Sequence, residues 1–97
     1  MKFPQLQGTD LAGMDLSYTN LIRANFTEAN LQGCNLQNAD IIFGNFTHAN
    51  LGNANLQVCT LNETCWHESI VVNCNFAGTK GILFSQQKLL IARGAIF

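Results

Sequence analysis

Charge is what this chain has least of. Asp, Glu, Lys and Arg make up 11% of its 97 residues, against about a quarter in average domains. Its surface must therefore be polar mainly through Asn, Gln and Thr. No run of eighteen apolar residues exists, so no membrane span is expected. The start, Met1-Lys2-Phe3-Pro4-Gln5, lacks the apolar stretch of a signal peptide, which makes a cytoplasmic, reducing compartment the expected location. Positive charge is scarce and scattered. The acids Asp10, Asp15, Glu28, Asp40, Glu63 and Glu68 are accompanied only by Lys2 and Arg23, while Lys80, Lys88 and Arg93 follow them. Neither part offers the clustered basic face of a nucleic-acid binder.

What the chain does have is repetition. Setting residues 22–41 over 42–61 matches Ile22 with Ile42, Asn25 with Asn45, Phe26 with Phe46, Ala29 with Ala49, Leu31 with Leu51 and Leu36 with Leu56. Inside this 20-residue register lies a period of five. Large apolar residues fall at every fifth position from Leu6 to Phe76. Two residues before each stands a mostly small one (Ala24, Ala29, Cys34, Ala39, Gly44, Ala49, Ala54, Cys59, Cys74), and Asn or Asp separates the two from Asp10 to Asn55. Self-similarity at a fixed period is the signature of a stacked-repeat architecture. Five matches neither the helical period of 3.6 nor the strand period of 2. It suits a chain that turns a corner after each short extended segment. With the small residue (position one) and the large one (position three) inward, positions two, four and five face out. Four segments then close a square.

The units Ala24-Asn25-Phe26, Ala29-Asn30-Leu31, Ala39-Asp40-Ile41, Ala49-Asn50-Leu51 and Ala54-Asn55-Leu56 resemble the pentapeptide-repeat family, whose motif is written A-(D/N)-L-X-X. The resemblance runs from about Pro4 to Gly78. It implies an all-β fold, a right-handed quadrilateral β-helix of about four coils stacked about 4.8 Å apart. On that fold, residues 20 apart form columns: Leu6/Phe26/Phe46/Trp66, Leu11/Leu31/Leu51/Val71, Leu16/Leu36/Leu56/Phe76 and Leu21/Ile41/Leu61. The expected division is a β-helix over residues 1–80 and a capping helix with tail over 81–97. The helix is expected from Ser85, as N-cap, to Arg93, with Gly94 as its stop. Its task would be to cover the last coil, whose edge would otherwise invite further pairing. Gly94-Ala95-Ile96-Phe97 then resumes the small-x-large pattern one residue out of frame.

Three groups of residues could carry chemistry or contacts. Cys34, Cys59 and Cys74 occupy inward small positions, leaving Cys65 outward. Cys65, His67 and His48 could approach one another, but they lack the paired ligand spacing that marks a zinc site, so no metal or cofactor is expected. The outward column Gly8/Glu28/His48/Glu68 sets His48 between two carboxylates, as a proton-handling site or a solvated charge ladder. Nothing supplies a nucleophile, an oxyanion hole or a pocket in a filled prism, so an enzyme is not expected. The third group is apolar: Ile22 and Ile42 stack at an outward position beside the column Phe3/Arg23/Phe43/Glu63, with Tyr18 at the preceding corner. Tyr18, Ile22, Arg23, Ile42, Phe43 and the terminal Phe97 form the candidate interaction patch. The expected function is a non-enzymatic structural or protein-interaction module, pairing as a homodimer or with another protein. The resemblance adds an alternative, since some pentapeptide-repeat proteins mimic DNA and modulate DNA gyrase. Duplex DNA carries about one charge per 1.7 Å, so four coils spanning about 19 Å would want about eleven negative charges. The six acids of the repeats, set against Lys2 and Arg23, fall well short.

Overall fold

The computed structural model describes residues 2–97. Its backbone winds into a square prism of 33 × 22 × 22 Å. Each extended segment is a single bridging residue, the Asn or Asp of position two, paired in parallel with the residue 20 further on: Gln5 with Asn25, Asn25 with Asn45, Asn45 with Cys65, and so around to Thr60 with Lys80. Two alternating hydrogen bonds hold successive coils at these bridges. Phe26 N–H donates to Asn45 C=O at 2.8 Å, and Asn45 N–H donates back to Ala24 C=O at 3.0 Å. A third bond joins the corners, as from Arg23 N–H to Ile42 C=O at 2.8 Å.

The corners explain the period of five. At most of them, the N–H of the position-one residue donates to the carbonyl of the preceding large one, as Ala24 does to Leu21 at 3.0 Å. The residue before the small one takes a left-handed φ, 60° at Arg23 and 62° at Val58, the requirement of a type II turn. Gly8, Gly13, Gly33 and Gly78 meet that requirement without a clashing Cβ. The Asn or Asp of position two locks the turn, because its Oδ1 accepts the N–H two residues on. Asn45 accepts from Thr47 at 3.0 Å and Asn55 from Gln57 at 2.9 Å. The hydroxyls of Thr9, Thr19, Thr64 and Ser69 at position one donate to the corner carbonyl, as Thr64 does to Leu61 at 2.7 Å. Inward polar groups are thereby satisfied.

The four predicted columns form the core. Phe26, Phe46, Leu31, Leu51, Leu36, Leu56, Ile41 and Leu61 are fully buried, each contributing on the order of 1.5–3 kcal/mol. The Phe26 and Phe46 rings stack at 5.1 Å and those of Phe46 and Trp66 at 4.3 Å. The Trp66 indole N–H donates to Thr64 Oγ1 at 2.8 Å. Among the described residues no coil lies beneath Leu6, Leu11 and Leu16, which are only partly buried.

After Lys80 the chain leaves the coils at Gly81, where φ is 91° and a Cβ would run into Asn62. Helix α1 (Phe84–Ala92) follows. Its N-cap lies two residues earlier than the sequence suggests. Leu83 is the N-cap, and Ser85 lies inside the first turn. The cause is docking: Gln86 Oε1 accepts the Leu83 N–H at 3.1 Å while its amide donates to Thr64 C=O, also at 3.1 Å. One side chain thus starts the helix and ties it to the coil below. Arg93 Nη1 donates to Trp66 C=O at 2.8 Å at the other end, and Leu90 is buried against the core. Gly94, at φ 99°, ends the helix as expected. The chain then rejoins the stack: Ile96 bridges Asn75, and the Phe97 ring stacks on Phe76 at 4.9 Å. The helical detour costs one residue of register, which is why the last unit falls out of frame.

Candidate functional surfaces

The outward apolar column is organised around Arg23. Its guanidinium lies over the Phe43 ring at 4.5 Å and over the Phe3 ring at 5.4 Å, a cation–π arrangement made by three coils holding residues 20 apart in line. Ile22 and Ile42 beside it are half-buried, Phe43 is 47% exposed and Tyr18 is 76% exposed. The structure does not bring Phe97 to this patch, because Phe97 sits at the opposite end of the stack on Phe76.

The outward histidine column closes into a cluster. His48 Nδ1 lies 3.3 Å from Glu68 Oε2, and His67 Nε2 lies 3.7 Å from Glu68 Oε1. The two imidazoles meet edge-on with centroids 5.8 Å apart. The coil geometry is direct, since the His48 N–H donates to the His67 carbonyl at 2.9 Å. His48 thus turns to the carboxylate above it; among the described residues no ion pair joins it to Glu28. Cys65 does not enter the cluster. Its sulfur lies 3.3 Å from Thr47 Oγ1, and Glu68 stands where the sequence suggested a thiol.

The other three thiols are buried. Burial pushes the Cys34 thiol up to about 11, with Asp15 adding to the effect, and the Cys59 thiol up to about 12; Cys74 is raised further for the same reason. Cys59 Sγ–H donates to Leu36 C=O at 2.9 Å. At the surface, the Ser17 hydroxyl and N–H bonded to Asp15 lower that carboxyl's pKa.

One surface was not foreseen. The outer flanks of α1 expose Phe84 (76%) and Leu89 (60%), with Leu83 and Ile91 also exposed, and Ile70, Val72 and Ile96 exposed elsewhere in the last layer. The signal was present in Phe84-Ser85-Gln86-Gln87-Lys88-Leu89-Leu90-Ile91-Ala92, whose apolar residues fall on all sides of a helix. Between α1 and the coil lies a cleft of about 230 Å³ lined by Trp66, His67, Gln86, Leu89, Leu90 and Arg93. Among the described residues no helix is long and apolar enough to cross a membrane.

Comparison with known proteins agrees with this architecture. The family pattern described as pentapeptide repeats (8 copies) matches residues 5–41. A pentapeptide repeat protein from the Arabidopsis thaliana thylakoid lumen is 26% identical, with 94% of this chain and 79% of that chain covered and a TM-score of 0.63. HetL, a pentapeptide repeat protein involved in heterocyst differentiation regulation in the cyanobacterium Nostoc, is 27% identical over 72% of this chain and 39% of its own, with a TM-score of 0.45. QnrB1, a plasmid-mediated fluoroquinolone resistance protein, is 21% identical over 92% of this chain and 53% of its own, with a TM-score of 0.54. The chain therefore spans about half or less of the length of the last two. No curated protein matches the sequence. With its five-residue corners and its 20-residue register, the chain carries the pentapeptide-repeat pattern over residues 5–41 and folds as a right-handed quadrilateral β-helix like that of the pentapeptide repeat proteins it is similar to.

Proposed function

We propose that this chain is a non-enzymatic protein-interaction module that pairs with a second copy of itself through its capped end. The observation that carries the reading is the outer surface of α1. Apolar side chains spread over several faces of a helix are ordinarily covered on more than one side, yet α1 buries only Leu90 fully and leaves Phe84, Leu89 and Ile91 exposed. Phe84 and Ile91, seven residues apart, lie on one flank, with Lys88 Nζ 5.6 Å from the Phe84 ring. One such flank per subunit suffices for a two-fold interface. The side patch is the weaker contact, because Arg23 already covers Phe43 and Phe3. A DNA-like reading gains little support: the outward acids Glu28 and Glu68 flank His48 and form no continuous stripe.

Sedimentation equilibrium at high micromolar concentration tests the reading. Wild type should be dimeric, Phe84→Asp/Ile91→Asp monomeric, and Ile42→Asp/Phe43→Asp dimeric. A monomeric wild type overturns self-association. Dissociation by the second pair alone moves the contact to the side patch.

A further inference from the structure

We infer that His48, His67 and Glu68 form a binding site for a divalent transition-metal ion of the zinc class. Two imidazoles and a carboxylate are a donor set that suits zinc, copper and nickel and not magnesium or calcium. One ligand atom from each lies within 4.8 Å of the others. In a tetrahedral site with ligand bonds of about 2.0–2.1 Å, the donors stand about 3.3 Å from one another. The His48 Nδ1 to Glu68 Oε2 distance is already 3.3 Å, and His67 Nε2 is 3.7 Å from Glu68 Oε1. Closing the triangle needs side-chain rotation alone.

The backbone beneath is fixed independently of any ion. His48 and Glu68 occupy the same corner of adjacent coils, both at left-handed φ, 58° and 53°. The bond from His48 N–H to His67 C=O pins the third ligand to them. The ion would therefore join two neighbouring coils across their hydrogen-bonded seam. Its ligands are exposed, so binding need not displace any core group, and the remaining coordination position faces solvent.

Because His48 and His67 are the two histidines of the chain, the experiment is direct in protein carrying no histidine tag. Titration calorimetry with zinc chloride at neutral pH should give one ion per chain, with no heat from magnesium chloride. His48→Ala and His67→Ala should each weaken binding at least tenfold, and Glu68→Gln severalfold, with circular dichroism unchanged. Cys65→Ser should bind as wild type. Zinc should also raise the melting temperature of wild type and not of His48→Ala/His67→Ala. Absence of binding at 100 µM zinc, binding that survives loss of both histidines, or binding abolished by Cys65→Ser would each overturn the assignment.

Discussion

Among the described residues, eleven that are not glycine hold the left-handed φ of the corners, and they include Val58 at 62°. A β-branched residue is the least suited to that conformation, which costs roughly 1–2 kcal/mol for an L-residue. Asn, which tolerates it, already serves at Asn38, Asn53 and Asn73. Val58→Asn is therefore expected to stabilise the fold by about 0.5–1 kcal/mol, read as a higher urea midpoint at unchanged slope. The buried thiols give a second expectation at this scale. An unfolded cysteine ionises near 9.0, whereas folded Cys34 and Cys59 hold their protons to about 11 and about 12. The folded chain then binds more protons than the unfolded one, so stability is full below pH 9 and falls as pH rises, by about 1.4 kcal/mol per pH unit for each thiol. Melting followed from pH 8 to 10.5 should show this loss, and Cys59→Ala should reduce its slope by about a third, since Cys34 and Cys74 still hold their protons. Over the same range Cys65, the exposed thiol, should be labelled first by a thiol reagent. The inward and outward assignment behind these expectations was legible in the sequence, because a period of five leaves one solution for which residues share a column. The union of His67 with Glu68 was not. It depends on side-chain rotation at adjacent outward positions, where period says nothing.

At the scale of the element, α1 shows how docking overrides local signals. A serine followed by a polar run suggested Ser85 as N-cap, but Gln86 bonds both Leu83 N–H and Thr64 C=O, and this double role sets the start at Leu83. The existence of the helix and its stop at Gly94 were readable from composition. Its outer apolar flanks were in the sequence too, but which side would face the coil depended on where Gly81 let the chain turn. α1 passes above Cys65 and Ile70, position-two residues that have no bridge to a coil above. Their places in the ladder are left to contacts such as Arg93 with Trp66 C=O. Gln86→Ala/Arg93→Ala removes both side-chain ties and is expected to cost about 1–3 kcal/mol. Trp66, the single tryptophan, reports the outcome. Its emission should shift to longer wavelength and become more easily quenched by acrylamide. Unchanged emission would place the docking energy in Leu90 alone.

The whole molecule is a stack with unlike ends. One carries α1 and the returning segment that sets Phe97 on Phe76. At the other, among the described residues, no coil below accepts the N–H groups of Asp10, Asp15 and Asn20. In a linear array each layer is held by its neighbours, so amide exchange should be fastest in residues 5–24 and slowest in the layer at 41–61, with α1 intermediate. Uniform protection would mean that the prism opens only as a unit. Every inter-coil bond also points along the long axis, which gives the stack a mechanical character. A tension applied to the N-terminal residue does not load those bonds together. It meets the first corner alone, where Leu6 holds Asn25, Gly8 holds Thr27 and Asn30 holds Thr9, and then the next. Drawn from that end, the chain should peel like tape, yielding five residues and at most about 18 Å of slack per step at low, nearly constant force.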